Sequence, residues 1–131
     1  MLFQYAAQID VGMSRLVQQD SILVNPQLIF NNNTLTSSDY YDDTNAALFV
    51  VADGMGGGVK GELASQITIN SVKDYVTKNK NLLTMNLYEL VTNAIYHANQ
   101  SILDHLNENP DDLSMGSTIV MGILKDGILS L

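Results

Sequence analysis

The chain has 131 residues, 46% of them hydrophobic, which fits one modest domain with a buried core. It has no cysteine, which excludes disulfides, thiolate metal sites and cysteine nucleophiles. Fourteen acidic residues against six basic ones give a formal charge of −8, which disfavours nucleic acid and anionic membranes as partners.

The first third of the chain predicts short strands and a long polar loop. No basic leader precedes a long apolar run, and no segment approaches the roughly 18 apolar residues of a membrane span, so we expect a soluble, cytoplasmic protein. Residues 3–9 and 21–24 read as strands joined by a turn, which places Asp20 at a strand edge. Residues 25–45 are rich in Asn, Ser, Thr and Asp, which favours an exposed loop, and residues 28–30 extend a hairpin.

The middle of the chain predicts a buried strand and an amphipathic helix. Residues 46–52 form a continuous apolar run that stops at Asp53-Gly54, the pattern of a strand buried on both faces. After a run of glycines, residues 62–78 carry apolar side chains at helical spacing. Asp53 is therefore expected at the carboxyl end of a strand that leads into a helix.

The last third predicts a second helix and then strands. Asn86 is a candidate N-cap with Glu89 three residues later, and the helix should end before Asn109. Residues 115–124 and 128–131 are strand-like and are separated by a Lys-Asp-Gly turn. The order of strands, two helices and further strands predicts the α+β class.

The glycine-rich segment after Asp53 has more than one reading. It fits a flexible structural turn, and Gly56, Gly58 and Gly61 also satisfy the spacing of a dinucleotide-binding loop. That second reading needs a further strand ending in an acid about 20 residues on, yet Asp74 falls inside the predicted helix. A phosphate-binding P-loop is disfavoured because no Lys-Ser or Lys-Thr pair follows the glycines.

Asp53 fits the role of a ligand to a hard metal ion. A carboxylate at a strand end offers two oxygens, and the adjoining Gly54 lets a backbone carbonyl turn toward the same ion. Asp20 is the natural candidate for a further oxygen ligand nearby. Arg15, the only arginine, could pair two guanidinium donors with two phosphate oxygens, although a surface ion pair explains it equally well.

Five blocks of sequence together resemble the bacterial-type PP2C (PPM family) protein phosphatases in order and spacing. They are Val-Gly-Met-Ser-Arg at 11–15, Gln-Gln-Asp at 18–20, Phe-Val-Val-Ala-Asp-Gly-Met-Gly-Gly at 49–57, Gly-Glu-Leu-Ala-Ser at 61–65 and Met-Gly-Ser-Thr at 115–118. The resemblance spans nearly the whole chain. The block that contains Asp53 is the most specific of the five.

The resemblance implies a four-layer α-β-β-α sandwich and a centre of two Mn²⁺ or Mg²⁺ ions that hydrolyses phosphoserine and phosphothreonine in phosphoprotein substrates. By the same resemblance, Asp53 would bridge the two metals and the Gly54 carbonyl would bind one of them. Asp20 would act through a metal-bound water, and Arg15 would hold the phosphate. Such a mechanism needs no side-chain nucleophile.

The chain also departs from the family pattern. Gly58 stands where members commonly have His, and Gln18-Gln19-Asp20 stands where they commonly have Asn-Glu-Asp or a similar triplet. Residues 1–131 resemble only the N-terminal half of the domain, which is about twice as long and carries further metal-binding aspartates. We therefore expect this chain alone to be inactive and to self-associate through exposed strand edges.

Two other functions remain as alternatives to a phosphatase. The same fold could serve as a non-catalytic interaction or regulatory module, and a nucleotide-binding enzyme is a more distant alternative. Activity against a phosphothreonine peptide with Mn²⁺ separates the first two, and nucleotide binding would favour the third.

Overall fold

The structure, a computed structural model, describes residues 2–24, 28–30, 35–42, 47–79, 86–112 and 114–131. It is α+β, with two antiparallel sheets and two helices. The strands are β1 (Leu2–Ile9), β2 (Asp20–Val24), β3 (Leu28–Phe30), β4 (Leu35–Asp42), β5 (Ala47–Met55), β6 (Gly116–Ser117), β7 (Val120–Lys125) and β8 (Ile128–Ser130). The helices are α1 (Val59–Lys78) and α2 (Leu87–Glu108), and a 3₁₀ turn covers Pro110–Asp112.

The larger sheet has the order β3-β2-β5-β7-β8, and β6 pairs with the end of β5. Every strand pair in the described part of the chain is antiparallel. A dinucleotide-binding loop belongs to a parallel sheet whose strands alternate with helices, so this topology removes that alternative for the glycine segment. The predicted hairpin extension at residues 28–30 is confirmed, because β3 pairs with β2.

The central strand β5 differs from its prediction in two ways. It does not stop at Asp53 but continues to Met55, because β6 pairs with this last stretch. Only its first part is enclosed on both sides, since Val51, Asp53 and Met55 are exposed and alternate with buried residues. Strand neighbours point to opposite faces, so these exposed residues mark a part of one face of the sheet that is left uncovered.

The two helices cover the other face of the larger sheet. Helix α1 packs on β5 and β2, and α2 packs against α1. Helix α1 begins at Val59 rather than at the predicted Glu62, whereas the cap of α2 is as predicted, with the Asn86 side chain accepting a hydrogen bond of 2.9 Å from the Tyr88 N–H. The second helix ends at Glu108, before Asn109, also as predicted. In the described ranges, no helix is both long and apolar enough to cross a membrane.

The main core fills the space between the helices and the sheet. Its buried members from the sheet are Leu23, Leu48, Val50, Ala52, Met121 and Ile123, and those from the helices are Ile69, Val72, Val76, Leu90, Ala94 and Ala98. A polar contact between strand and helix also lies within this layer: the hydroxyls of Ser21 and Ser65 are 2.9 Å apart and both side chains are buried. It links β2 directly to α1.

Strands β1 and β4 form a separate two-stranded sheet on the opposite face. Ile22 and Val24 of β2 turn away from the helices and pack with Ile9 of β1. The prediction of an unpaired loop is wrong for β4, which pairs with β1 along eight residues. Its sequence, Leu-Thr-Ser-Ser-Asp-Tyr-Tyr-Asp, lacks the apolar alternation that would reveal a strand. The other residues of that predicted loop, 25–27, 31–34 and 43–46, lie outside the described ranges.

The carboxyl-terminal hairpin follows its prediction. Strands β7 and β8 pair around a turn at Asp126 and Gly127, whose φ angles of 52° and 76° are both positive. Two consecutive positive φ angles are the mark of a two-residue type I′ hairpin, for which Asp-Gly is a favoured sequence. The predicted strand at residues 115–124 is divided into β6 and β7.

Candidate functional site

Two aspartates meet at one end of the larger sheet. Asp20, the first residue of β2, is the direct cross-strand partner of Asp53 in β5. Directly opposite residues of an antiparallel pair project to the same face with their Cβ atoms about 5 Å apart. The ladder thus brings together two carboxylates that are 33 positions apart in the sequence, and it places them on the face that the helices leave open.

The neighbouring Asp53 changes the electrostatics of Asp20. The pKa of Asp20 is raised above its ordinary value of 3.8, first by burial and then by the neighbouring charge and hydrogen bond of Asp53. Arg15 acts in the opposite direction and partly offsets the rise. A site that crowds two negative groups in this way is stabilised by a proton or a cation between them.

The backbone of Asp53 is held by the last residue of β6 and the residue after it. The Asp53 N–H donates to Thr118 Oγ1 at 3.3 Å, and the Asp53 carbonyl accepts from the Thr118 N–H at 2.9 Å and from Ser117 Oγ at 3.2 Å. These contacts fix the position of Asp53 without using its carboxylate. Sequence reasoning gave no role to Ser117 and Thr118, although their block was one of the five that carried the resemblance.

Gly54 lies where backbone segments approach each other closely. A Cβ at Gly54 would lie 1.7 Å from the Gly61 carbonyl oxygen, and a Cβ at Gly61 would lie 2.7 Å from the Gly54 carbonyl oxygen. No other residue type fits at either position without moving the backbone. The Gly54 N–H donates to the Gln19 carbonyl at 3.0 Å, which joins β5 to the segment before β2. The role of the Gly54 carbonyl as a metal ligand stays a prediction.

Arg15 lies beside the acidic pair, on the segment that leads into β2. Its Nη1 donates to Gln19 Oε1 at 2.5 Å, and Gln19 Nε2 donates to the Gly58 carbonyl at 3.2 Å. Arg15 is exposed, whereas Gln19 is buried. An open pocket of about 440 Å³ adjoins these groups, lined by Arg15, Leu16, Val17, Gln19, Gly57 and Gly58.

The two glutamines before Asp20 both have structural roles that the sequence did not predict. Gln18 is buried, and its Oε1 accepts a hydrogen bond of 3.0 Å from the Asp20 N–H. Gln19 bridges Arg15 and Gly58 as described above. In the sequence, these residues are visible only as a departure from the family pattern. A side-chain amide can bond many kinds of partner, so its partner is known only from the folded structure.

The predicted site residues Arg15, Asp20, Asp53 and Gly54 therefore lie at one end of the sheet, and their chemical roles stay predictions. Within the described ranges, no group of three or more His, Cys, Asp and Glu side chains is arranged to hold a metal ion. Two carboxylates are present at this end of the sheet. Divalent cations in proteins usually take six or more oxygen ligands, including waters.

The fold is similar to that of a solved serine/threonine phosphatase of the PP2C type, PstP of Mycobacterium tuberculosis. One crystal structure of PstP matches with a TM-score of 0.63 and 22% identity over 98% of this chain and 52% of that chain. A second, the PstP catalytic domain in complex with two manganese ions, matches with the same TM-score and identity over 98% of this chain and 54% of that one. The chain thus spans about half the length of these structures.

Sequence comparison adds no relative. No protein-family model matches the chain, and no curated protein matches it significantly. At 22% identity the structural likeness establishes the fold alone. The predicted α+β architecture with antiparallel sheets is confirmed as a partial PP2C-like fold.

Proposed function

We propose that this chain supplies part of the active site of a metal-dependent protein phosphatase that hydrolyses phosphoserine and phosphothreonine in proteins. The observation that carries the proposal is the cross-strand pair of Asp20 and Asp53, with Arg15 beside it. The likeness in fold to a serine/threonine phosphatase supports it. The sequence has no cysteine, which agrees with a reducing cytoplasm, where we place this activity.

The oxygen atoms at the site are of the kind that hard divalent cations, Mn²⁺ or Mg²⁺, would bind, and this chain would supply part of the ligand set for two of them. Facing carboxylates repel each other in a chain of net charge −8, and a cation between them relieves that repulsion. Carboxylate and backbone carbonyl oxygens are the ligands that such ions prefer. We assign Asp53 and the Gly54 carbonyl as ligands from this chain; the remaining ligands would have to come from outside the described residues.

When bound, the two cations would neutralise the phosphate dianion and activate a water molecule for attack on phosphorus. The chain's own groups would do the positioning. Arg15 would donate hydrogen bonds to two phosphate oxygens through its planar guanidinium. The Arg15 side chain is exposed, so a substrate can reach it. The Asp20 carboxylate would accept a hydrogen bond from the attacking water and so orient it for in-line attack.

One observation favours a second candidate, a non-catalytic interaction module built on the same fold. The described residues hold two clustered carboxylates and no group of three, fewer protein ligands than a dinuclear centre needs. On this alternative the acidic pair would be a remnant of a catalytic site. The two candidates predict different results with added metal.

The test combines metal binding and phosphatase activity. Calorimetric titration of the chain with Mn²⁺ should show binding that Asp53→Asn abolishes. Hydrolysis of a phosphothreonine peptide should then be measured for this chain, and for the full natural length of the protein, with Mn²⁺ and with Mg²⁺. Full-length protein that is inactive with both metals would contradict the catalytic proposal and favour the interaction module.

A further inference from the structure

The side chain of Gln19 is hydrogen-bonded at both ends of its carboxamide. Its oxygen accepts from the Arg15 guanidinium at 2.5 Å, and its nitrogen donates to the Gly58 carbonyl at 3.2 Å. Gln19 is 9% exposed. Its Nε2 packs closely against Gly61 in the first turn of α1, where a Cβ would lie only 2.6 Å from it. An exposed arginine is thus anchored through a buried amide to the loop after β5.

This arrangement requires an amide. A side-chain amide is both acceptor and donor, so one group can accept a hydrogen bond from Arg15 and donate one to the Gly58 carbonyl. An ionised glutamate only accepts, and one of its oxygens would face the carbonyl oxygen of Gly58. Two of the positions at which this chain departs from the family pattern, Gln19 and Gly58, are therefore joined by a hydrogen bond.

Whether the positive charge of Arg15 is compensated also depends on whether residue 19 carries an amide or a carboxylate. A glutamate at position 19 would form an ion pair with Arg15 and compensate its charge, whereas the neutral amide holds the guanidinium and leaves the charge available. Guanidinium groups bind phosphate most strongly when their charge and paired donors are free for it. The open pocket beside Arg15 gives a phosphate room to reach it.

We infer that Gln19 is a positioning residue, which holds the Arg15 guanidinium beside the Asp20–Asp53 pair and leaves its charge free for a phosphate. The inference rests on the proposed function for the role of the phosphate. The anchoring of Arg15 by Gln19 does not depend on it. The two parts can therefore be tested by separate measurements on the same 131-residue chain.

The first measurement is the mobility of the Arg15 side chain. Arg15 is the only arginine, so its Nε–H group gives a single resonance in a nitrogen-correlated NMR spectrum. In the wild type we expect an Nε order parameter that approaches the value of rigid backbone, about 0.85, and in Gln19→Leu a fall below about 0.6. Gln100→Leu, which replaces an exposed glutamine on α2, is the matched control and should leave Arg15 rigid.

The wild-type measurement decides the first part even if Gln19→Leu does not fold. A mobile Arg15 in the folded wild type would overturn the anchoring. So would an Arg15 that stays rigid in a folded Gln19→Leu variant. An ordered Arg15 that becomes mobile only when Gln19 is replaced would support it.

The second measurement is titration with inorganic phosphate, followed through the Arg15 Nε–H resonance. Gln19→Glu should pair with Arg15 as an ion pair and weaken phosphate binding about tenfold, the scale of one charge-assisted hydrogen bond. Equal affinity in the two proteins, or no phosphate-dependent shift in the wild type, would overturn the second part. Inactivity of the full-length protein with both metals, by contrast, would contradict the proposed function and leave the anchoring of Arg15 intact.

Discussion

Asp20 of β2 lies directly opposite Asp53 of β5, so two like charges face each other at the end of an antiparallel ladder. Like charges in directly opposite positions destabilise a sheet, and burial and the neighbouring charge together raise the pKa of Asp20. Ordinary selection for stability would replace one of the two acids. The pair is therefore better explained by a function that uses both carboxylates, such as binding a divalent cation.

Replacement of Asp53 should separate stability from metal binding. We expect Asp53→Asn to raise the free energy of unfolding of the metal-free chain by about 0.5 kcal/mol, because it removes the cross-strand repulsion. The same variant should lose any stabilisation that Mn²⁺ gives the wild type, since binding to the native state alone stabilises it. Both effects are measured by urea denaturation with and without Mn²⁺.

The control for that substitution is Asp104→Asn, which removes the same charge from an exposed position on α2. It should leave the Mn²⁺ effect unchanged. If Asp53→Asn and Asp104→Asn behave alike, the acidic pair has no special part in metal binding.

Gly54 should tolerate no side chain. In Gly54→Ala the new Cβ would lie 1.7 Å from the Gly61 carbonyl oxygen, so we expect a loss of more than about 3 kcal/mol of stability or failure to fold. Gly57 is the matched control, because its φ of 73° is positive but nothing lies within 4 Å of a Cβ there. Gly57→Ala should cost only the strain of the left-handed backbone, about 1–2 kcal/mol. Equal losses in the two variants, measured by urea denaturation, would contradict the close approach.

The hydroxyl pair between β2 and α1 should show asymmetric energetics. Ser65 Oγ donates to the Glu62 carbonyl at 3.0 Å and also contacts Ser21 Oγ, so Ser21 is the donor within the pair. Ser65→Ala leaves the buried Ser21 hydroxyl without its acceptor and should lower the free energy of unfolding by about 1–3 kcal/mol. Ser21→Ala should lower it by less than about 1 kcal/mol. In a double-mutant cycle, the loss in the double variant should be smaller than the sum of the single losses. Additive losses would show that the hydroxyls do not interact.

Local patterns in the sequence predict much of this fold. The apolar run before Asp53, the helical spacing after the glycines and the Asn86 cap each depend on residues close in the sequence, and each is found in the structure. Strand β4 was missed because its pairing with β1 is remote and its own sequence is polar. Its conformation is decided by a partner strand that no local window contains.

The candidate site also combines features that local sequence predicts with features that depend on residues remote in the sequence. The glycines and the acid at a strand end marked Asp53 and Gly54 from the sequence, but the exact opposition of Asp20 to Asp53 is a matter of strand register. The bridging role of Gln19 depends on the Gly58 carbonyl, 39 positions away, and on an arginine four positions before it. A glutamine carries no local signal of such a role, because amides are common on protein surfaces as well.

A polar cluster near the start of α1 should give the chain part of its resistance to acid. Asp112 contacts His105 Nε2 at 3.0 Å and Lys60 Nζ at 3.4 Å, and these contacts, His105 foremost, hold the pKa of Asp112 below its usual 3.8. A carboxylate with a lowered pKa stabilises the fold above the pKa of the unfolded chain, and this contribution is lost as pH falls through the folded-state pKa.

Asp112→Asn should therefore lower the melting temperature at pH 7, and its difference from the wild type should shrink toward pH 3. The site-specific measurement is an NMR titration of the Asp112 carboxyl carbon, with an expected midpoint below 3.8. His105→Gln should move that midpoint upward, since it removes the partner with the largest effect. A wild-type midpoint at or above 3.8 would refute the assignment.

The part of the larger sheet that neither the helices nor strands β1 and β4 cover should make this chain self-associate. Val51, Val120 and Leu129 are 50%, 64% and 57% exposed, and with Phe49 and Leu131 they line an apolar depression of about 300 Å³ on the face opposite the helices. Contiguous exposed apolar surface of this kind promotes association in water. Sedimentation velocity should therefore detect dimers or larger species at micromolar concentrations, and Val120→Lys should shift the chain toward monomer. Tyr96→Lys, at an exposed aromatic on α2, controls for the added charge and should leave association unchanged. A wild-type chain that sediments as a monomer throughout would contradict both this prediction and the earlier expectation of pairing through strand edges.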